Sequence, residues 1–115
     1  MRLAKGGKEL VLSIAGRTAI PSTGVYREPG QGGNLPSGEA YIAPVEGTAE
    51  DEVVVDGSMA TLGRLRIPLL LRMAGGRLVH AEGPGVDRFL AALDASPQGR
   101  NVAELGIGTN DRARR

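Results

Sequence analysis

The sequence predicts an α+β domain with about six strands in a mostly antiparallel sheet or barrel-like arrangement, one helix and long glycine-rich loops. Three observations support this expectation. Several short segments have the composition of strands, one segment has helical spacing, and eighteen glycines among 115 residues indicate many tight turns. A chain of this length is expected to form a single domain, spanning residues 1–115.

Strand patterns occur at six places in the sequence. The first alternates apolar and polar residues, the third is a run of β-branched valines, and the fourth is the most apolar segment of the chain. The six segments are residues 9–15, 39–43, 53–55, 65–73, 77–81 and 101–105. The turn residues Ala74-Gly75-Gly76 predict that the fourth and fifth segments form a β-hairpin.

One segment has the spacing of an amphipathic helix. Val86, Phe89, Leu90 and Leu93 recur at intervals of three and four residues, after a Pro84-Gly85 start signal. Residues 21–36, by contrast, are rich in proline and glycine and are predicted to form a long loop without regular structure.

Composition excludes several classes of function. A net charge of +1 argues against nucleic acid as a partner, and the terminal Arg112, Arg114 and Arg115 are interpreted as a solvated tail. The absence of cysteine excludes disulfides and thiolate metal sites, and a single histidine excludes a zinc site built from several imidazoles. No segment approaches the ~18 apolar residues of a membrane span. We therefore expect a cytoplasmic protein without a membrane partner.

Two glutamates lie in unusual local sequences. Glu39 follows Pro36-Ser37-Gly38 at the end of the long loop, and Glu104 lies between apolar residues and is followed by Gly106 and Gly108. A carboxylate in an apolar junction is costly unless it is paired or binds a cation, and two such groups suit a divalent ion. The alternative is that each glutamate is an exposed strand-end residue or the partner of a nearby arginine.

Four stretches in the same order resemble a known family: GNLPSGEAYIAPVEGTAE, VVVDGS, GRLRIPLLLRMAGGRLV and AELGIGTN. They are similar to the catalytic domain of the aminopeptidase T family of thermophilic, leucyl aminopeptidase-like metalloproteases. The resemblance runs from about Gly7 to Asn110. It implies that the chain is part of the metal-binding catalytic domain of a longer enzyme.

The resemblance assigns roles to the two glutamates. Family members hold two ions, zinc or cobalt, with glutamate, histidine and aspartate ligands, and their two glutamate motifs fall on Glu39 and Glu104. The histidine and aspartate ligands and a catalytic tyrosine of the family would lie beyond Arg115. The resemblance therefore implies a peptide substrate and a homodimeric parent enzyme, with weak metal binding and no peptidase activity for this chain alone.

Two other functions stay open at this point. Some proteins similar to the family are iron-dependent ring-cleaving dioxygenases, although a single-iron site has no need for a pair of glutamates. The other alternative is a non-catalytic assembly domain, in which exposed strand edges pair between copies.

Four further residues are of types that carry chemistry in other proteins. His80 is expected to be a surface residue, Glu46 an exposed turn carboxylate, and Ser58 part of an Asp-Gly-Ser turn rather than of a catalytic triad. Asn34 is expected to hydrogen-bond the loop backbone and so hold Glu39 in place.

Overall fold

A computed structural model describes residues 1–112 and shows a chain made mostly of short β-strands. It has ten strands and one helix within those residues. In chain order they are β1 (Arg2–Lys5), β2 (Lys8–Val11), β3 (Ile20–Ser22), β4 (Glu39–Ile42), β5 (Glu50–Val55), β6 (Ser58–Met59), β7 (Gly63–Arg64), β8 (Leu69–Ala74), β9 (Arg77–Glu82), α1 (Val86–Asp94) and β10 (Leu105–Gly108).

The strands form three antiparallel sheets. The largest has five strands in the order β1-β2-β5-β8-β9, the second has the order β10-β4-β3, and β6 pairs with β7. None of the sheets closes into a barrel. The prediction of an α+β fold with about six strands in one sheet or barrel-like arrangement is therefore wrong.

The missed strands explain this error. β1, β3, β6 and β7 have two to four residues, too few for an alternating pattern to be recognised. Pro21 was interpreted as a loop residue, yet it lies in β3, which is an edge strand and therefore tolerates a residue without an N–H donor. The predicted loop thus begins after Ser22 and not at Pro21.

The predicted hairpin and helix are both confirmed. β8 and β9 are joined by Gly75-Gly76, both at positive φ (56° and 75°), as a tight two-residue turn requires. Helix α1 begins at Val86, directly after the predicted start signal, and ends at Asp94. It has nine residues, and no helix within residues 1–112 is long and apolar enough to cross a membrane.

The main core lies between the five-stranded sheet and α1. Its buried side chains are Leu69, Leu71, Leu78 and Ala81 from β8 and β9. The predicted apolar stripe of the helix packs against them, and it consists of Val86, Phe89, Leu90 and Leu93. The packing of this stripe stabilises a helix that would be too short to form alone.

A second buried cluster connects the two larger sheets. Leu10, Leu12 and Ala49 are its buried members, and Val102 and Leu105 pack against them from the segment that leads into β10. Ile42 of β4 is also buried. Because Ile42 and Leu105 are directly opposite each other in the sheet, their shared face is turned inward, which leaves the other face of the three-stranded sheet toward solvent.

Two ion pairs lower the pKa of their carboxyl groups. Hydrogen bonds from Arg100, whose Nε and Nη2 are each 2.6 Å from Asp94 oxygens, hold the pKa of Asp94 below its usual value. A hydrogen bond from the Lys8 ammonium, 2.5 Å from Glu52, lowers the pKa of Glu52 in the same way. Because both pKa values are lowered in the folded state, the stability of the fold is expected to fall at acid pH.

Acidification is expected to destabilise the wild-type protein more steeply than the Asp94→Asn variant. A carboxylate with a lowered folded-state pKa stabilises the fold above its unfolded pKa, and this contribution is lost as pH falls through the folded pKa. For Asp94 the loss begins below about pH 4. Tm measured between about pH 7 and about pH 2.5 tests this, with the loop variant Glu28→Gln as control. Parallel Tm curves for wild type and Asp94→Asn would contradict it.

Candidate functional site

The outward face of the three-stranded sheet carries Glu39. Glu39 is directly opposite Ser22 on β3 and Gly108 on β10. Tyr41, two residues along β4, is opposite Ile20 and Gly106. Since directly opposite residues project to the same side of a sheet, all of these positions share one face. This face is the reverse of the one that contributes Ile42 and Leu105 to the interior.

Glu39 and Glu104 line the same pocket on this face. The pocket has a volume of about 580 Å³ and lies between the three-stranded sheet and the loop that follows β3. Glu104 directly precedes β10, so it extends the alternation of Gly106 and Gly108. The rest of the lining includes Ile20, Ser22, Tyr26, Asn34 and Tyr41. Folding thus brings together the two glutamates that the sequence singled out.

The local environment of the two glutamates differs from the expectation. Both residues are exposed, although their neighbours in sequence are small or apolar. Ala40 and Leu105 are half-buried on the other face of the sheet, and Ala103 is itself exposed, so neither carboxylate bears the desolvation cost that the sequence suggests. The argument from desolvation therefore does not apply to these two glutamates. The cation stays a prediction, and its support is the pocket that both carboxylates line.

Hydrogen bonds to β3 and to the two residues that follow β10 fix the backbone that leads into Glu39. The Gly38 amide donates to Ser22 O at 3.0 Å, and the Thr109 amide donates to Gly38 O at 2.8 Å. The Asn110 side chain donates from Nδ2 to Ser37 O at 3.1 Å, and the hydroxyl of Ser37 donates to Ser22 O at 2.7 Å. Glu39 therefore leaves a backbone that is held from both neighbouring strands.

A folded loop forms the opposite wall of the pocket. The Tyr26 hydroxyl donates to Asn34 O at 3.2 Å, and its ring lies against Gly33, where a Cβ would be 3.1 Å from Cζ. The Gln31 side chain accepts hydrogen bonds from the amides of Arg27 and Glu28 at 2.9 and 3.1 Å. Asn34 was expected to hold the loop through its side chain, whereas the contact made here uses its backbone carbonyl.

The other candidate residues lie elsewhere. His80 is exposed on β9, with Nε2 2.9 Å from Glu82 Oε1, so its assignment as a surface residue is confirmed. Glu46 is exposed in a turn, as predicted, and lines a separate recess with Gly75 and Arg77. Ser58 belongs to strand β6 and not to the predicted turn. Arg114 and Arg115 of the expected solvated tail lie outside the described residues.

Two carboxylates on one open pocket can supply part of the ligand set of a divalent cation. Oxygen donors of this kind suit hard and borderline ions. Within residues 1–112, no group of three or more His, Cys, Asp or Glu side chains is placed to hold a metal ion. A catalytic zinc site uses three protein ligands, so the described part of the chain fits a partial site and not a complete one.

Sequence reasoning missed most of the pocket lining. Ile20 and Ser22 become neighbours of Glu39 only through the register of β3 against β4. The one available signal was alternation along residues 39–42, which places positions 39 and 41 on the same face. The partner strands could not be identified from so short a pattern.

Comparison of the chain with models of protein families, with characterised proteins and with solved structures gave no match.

Proposed function

We propose that this chain supplies Glu39 and Glu104 as carboxylate ligands to the two-metal centre of an aminopeptidase resembling the aminopeptidase T family. The observation that supports the proposal is that both glutamates line one pocket, although they come from opposite halves of the chain. Had the two side chains been on opposite sides of the three-stranded sheet, they could not have shared a pair of ions. Of the motifs that carry the resemblance, the two that contain a glutamate thus contribute to one pocket.

The described residues have different roles in such a site. Glu39 and Glu104 would hold zinc or cobalt ions, which supply Lewis-acid activation of a peptide carbonyl and of water. The two carboxylates also attract the ammonium group at the amino terminus of a peptide, which favours cleavage at that end. Tyr41 is half-buried and lines the pocket. The loop around Tyr26 forms one wall of the pocket. The pocket stays open on the solvent side, which leaves room for further ligands and for a peptide.

The proposal includes the wider expectations of the resemblance. The complete enzyme is a cytoplasmic homodimer that acts on peptides, and its two-metal centre also uses histidine and aspartate ligands. This chain alone binds divalent metal weakly and does not hydrolyse peptides. A single-iron dioxygenase receives less support, because such a site does not need two glutamates in one pocket.

A non-catalytic assembly role is the second candidate, and exposed apolar side chains favour it. Ile20 is 50% exposed, Val25 is 55% exposed and Leu35 is 71% exposed. All three belong to the three-stranded sheet or to the loop beside it. Apolar side chains of this kind can be covered when two copies associate. In that case the protein would associate without any need for metal.

Metal binding separates the two candidates. We expect the wild-type chain to bind Co²⁺ and Zn²⁺ weakly, and we expect Glu39→Gln and Glu104→Gln each to reduce affinity at least about tenfold. Glutamine keeps the shape of the side chain and removes the negative charge that the cation needs. Isothermal titration calorimetry and metal content by mass spectrometry measure the effect.

Glu46→Gln is the matched control, because Glu46 is an exposed carboxylate that lines a different recess. This variant should bind metal as the wild type does. A wild-type protein that binds neither ion, or a Glu46→Gln variant that loses binding as the other two do, would contradict the proposed site. Self-association without metal binding would favour the assembly role.

A further inference from the structure

The Glu39 side chain does not stay beside its direct partner on β10. Its partner in the register is Gly108, yet a Cβ built on Gly108 has no atom within 4 Å. A Cβ built on Gly106, in contrast, would overlap Glu39 Oε1 and lie 3.2 Å from Cδ. The carboxylate therefore lies over Gly106, two residues along β10, in the place that a side chain at position 106 would occupy.

The Glu39 carboxylate is displaced along β10 in the direction of Glu104. β10 runs antiparallel to β4, so moving from Gly108 to Gly106 along β10 leads back toward Glu104. Diagonal neighbours in an antiparallel pair are about 7–8 Å apart at their Cα atoms, within the reach of a long side chain. Glu39 thus extends diagonally across the sheet toward the other glutamate, over a position that has no side chain.

We propose that Gly106 is a positioning residue for the metal site. Its missing side chain forms a notch that lets the Glu39 carboxylate reach the Glu104 side of the pocket. This inference rests on the proposed function, because it assigns Gly106 a role in placing one of the two proposed ligands. Any side chain at position 106 turns the Glu39 carboxylate away from that place.

The strand itself offers a matched pair of variants, Gly106→Ala and Gly108→Ala. Both glycines are exposed, project to the same face of β10 and have backbone φ outside the left-handed region. The two variants differ only in the surroundings of the added methyl group. At position 106 it contacts the end of the Glu39 side chain, and at position 108 it has no atom within 4 Å. Because a flexible side-chain end can rotate away, both variants are expected to fold.

Two readouts test the proposal. The first is the Glu39 side-chain rotamer in the metal-free protein. Nuclear Overhauser contacts between its γ-methylene protons and the α-protons of residue 106 report it, and they should be lost in Gly106→Ala and kept in Gly108→Ala. The second is Co²⁺ affinity with the visible spectrum of bound Co²⁺. Loss of support for a metal ligand typically lowers affinity about 10- to 100-fold, which we expect for Gly106→Ala alone. Equal Tm values for the two variants would show that this loss is not caused by unfolding.

The outcomes distinguish this inference from the proposed function. A wild-type chain that binds no Co²⁺ contradicts the proposed function, and the rotamer measurement then still decides whether Gly106 sets the Glu39 conformation. A wild type that binds Co²⁺, with unchanged affinity in Gly106→Ala, leaves the proposed function intact and overturns the role of Gly106. An equal loss of affinity in Gly108→Ala would also overturn it, because a general effect on β10 would then be responsible.

Discussion

Replacement of Leu69 with alanine is expected to lower the free energy of unfolding by about 2 to 5 kcal/mol. Leu69 is 1% exposed and lies at the start of β8, in the cluster that joins β8, β9 and α1. Truncation removes the transfer free energy of the buried atoms and leaves a cavity between sheet and helix. Small domains have a total stability of about 5–15 kcal/mol, so this single change removes a large share of it.

Urea denaturation followed by circular dichroism measures this effect. Ile67→Ala is a suitable control, because Ile67 is an apolar residue two positions earlier that is 60% exposed. We expect its unfolding free energy to stay within about 0.5 kcal/mol of wild type. If Leu69→Ala lowers the free energy of unfolding as little as Ile67→Ala does, packing in the cluster between α1 and the sheet does not contribute strongly to stability.

The elements that sequence could predict are those specified by local signals. The β8–β9 hairpin follows from Gly75-Gly76 between two apolar segments, and α1 follows from the spacing of Val86, Phe89, Leu90 and Leu93. Each signal lies within the element that it specifies. Turn chemistry and helical periodicity act over a few residues, so they can be recognised without knowledge of the rest of the fold.

The number of sheets could not be predicted in this way. β4 pairs with β3, across the long loop, and with β10, near the other end of the chain. Both pairings depend on contacts between residues that are distant in sequence, and the partner strands have only three and four residues. Without those pairings, six strand patterns suggested one sheet. The resulting error in fold class is a failure to predict long-range pairing.

The two glutamates of the candidate site could be selected from sequence motifs, whereas their surroundings could not be predicted. Glu39 and Glu104 were selected from motifs, and the structure places both on one pocket. Both are exposed, which agrees with the alternative of exposed strand-end residues and not with a carboxylate surrounded by apolar neighbours. In a strand, neighbours in sequence point to opposite faces, so an apolar flank indicates that the central residue faces the other way.

Replacement of Gly38 with alanine is the second change expected to lower the free energy of unfolding strongly. Gly38 lies where the start of β4 contacts the residues that follow β10. Its φ is +131°, a conformation that side chains strongly disfavour, and a Cβ there would lie 2.6 Å from Asn110 Cβ and 3.2 Å from Asn110 N. Gly38→Ala therefore adds backbone strain and a clash with a segment that itself bonds to Gly38 and Ser37. We expect a loss of about 2 to 5 kcal/mol, from roughly 1–2 for the strain and 1–3 for the clash.

The loss in Gly38→Ala should be concentrated in the three-stranded sheet, because the clash lies between β4 and the residues after β10. Amide hydrogen exchange is the suitable measurement. The Thr109 amide, which donates to Gly38 O across this junction, should lose protection first, and the Gly38 amide, which donates to Ser22 O on β3, should follow. Gly30→Ala is the control, since Gly30 has a φ of +83° in the same loop and a methyl group added there would have no atom within 4 Å. It measures the cost of a side chain at a positive φ where no steric contact is added. Equal destabilisation by both variants would mean that contact with Asn110 does not hold Glu39 in place.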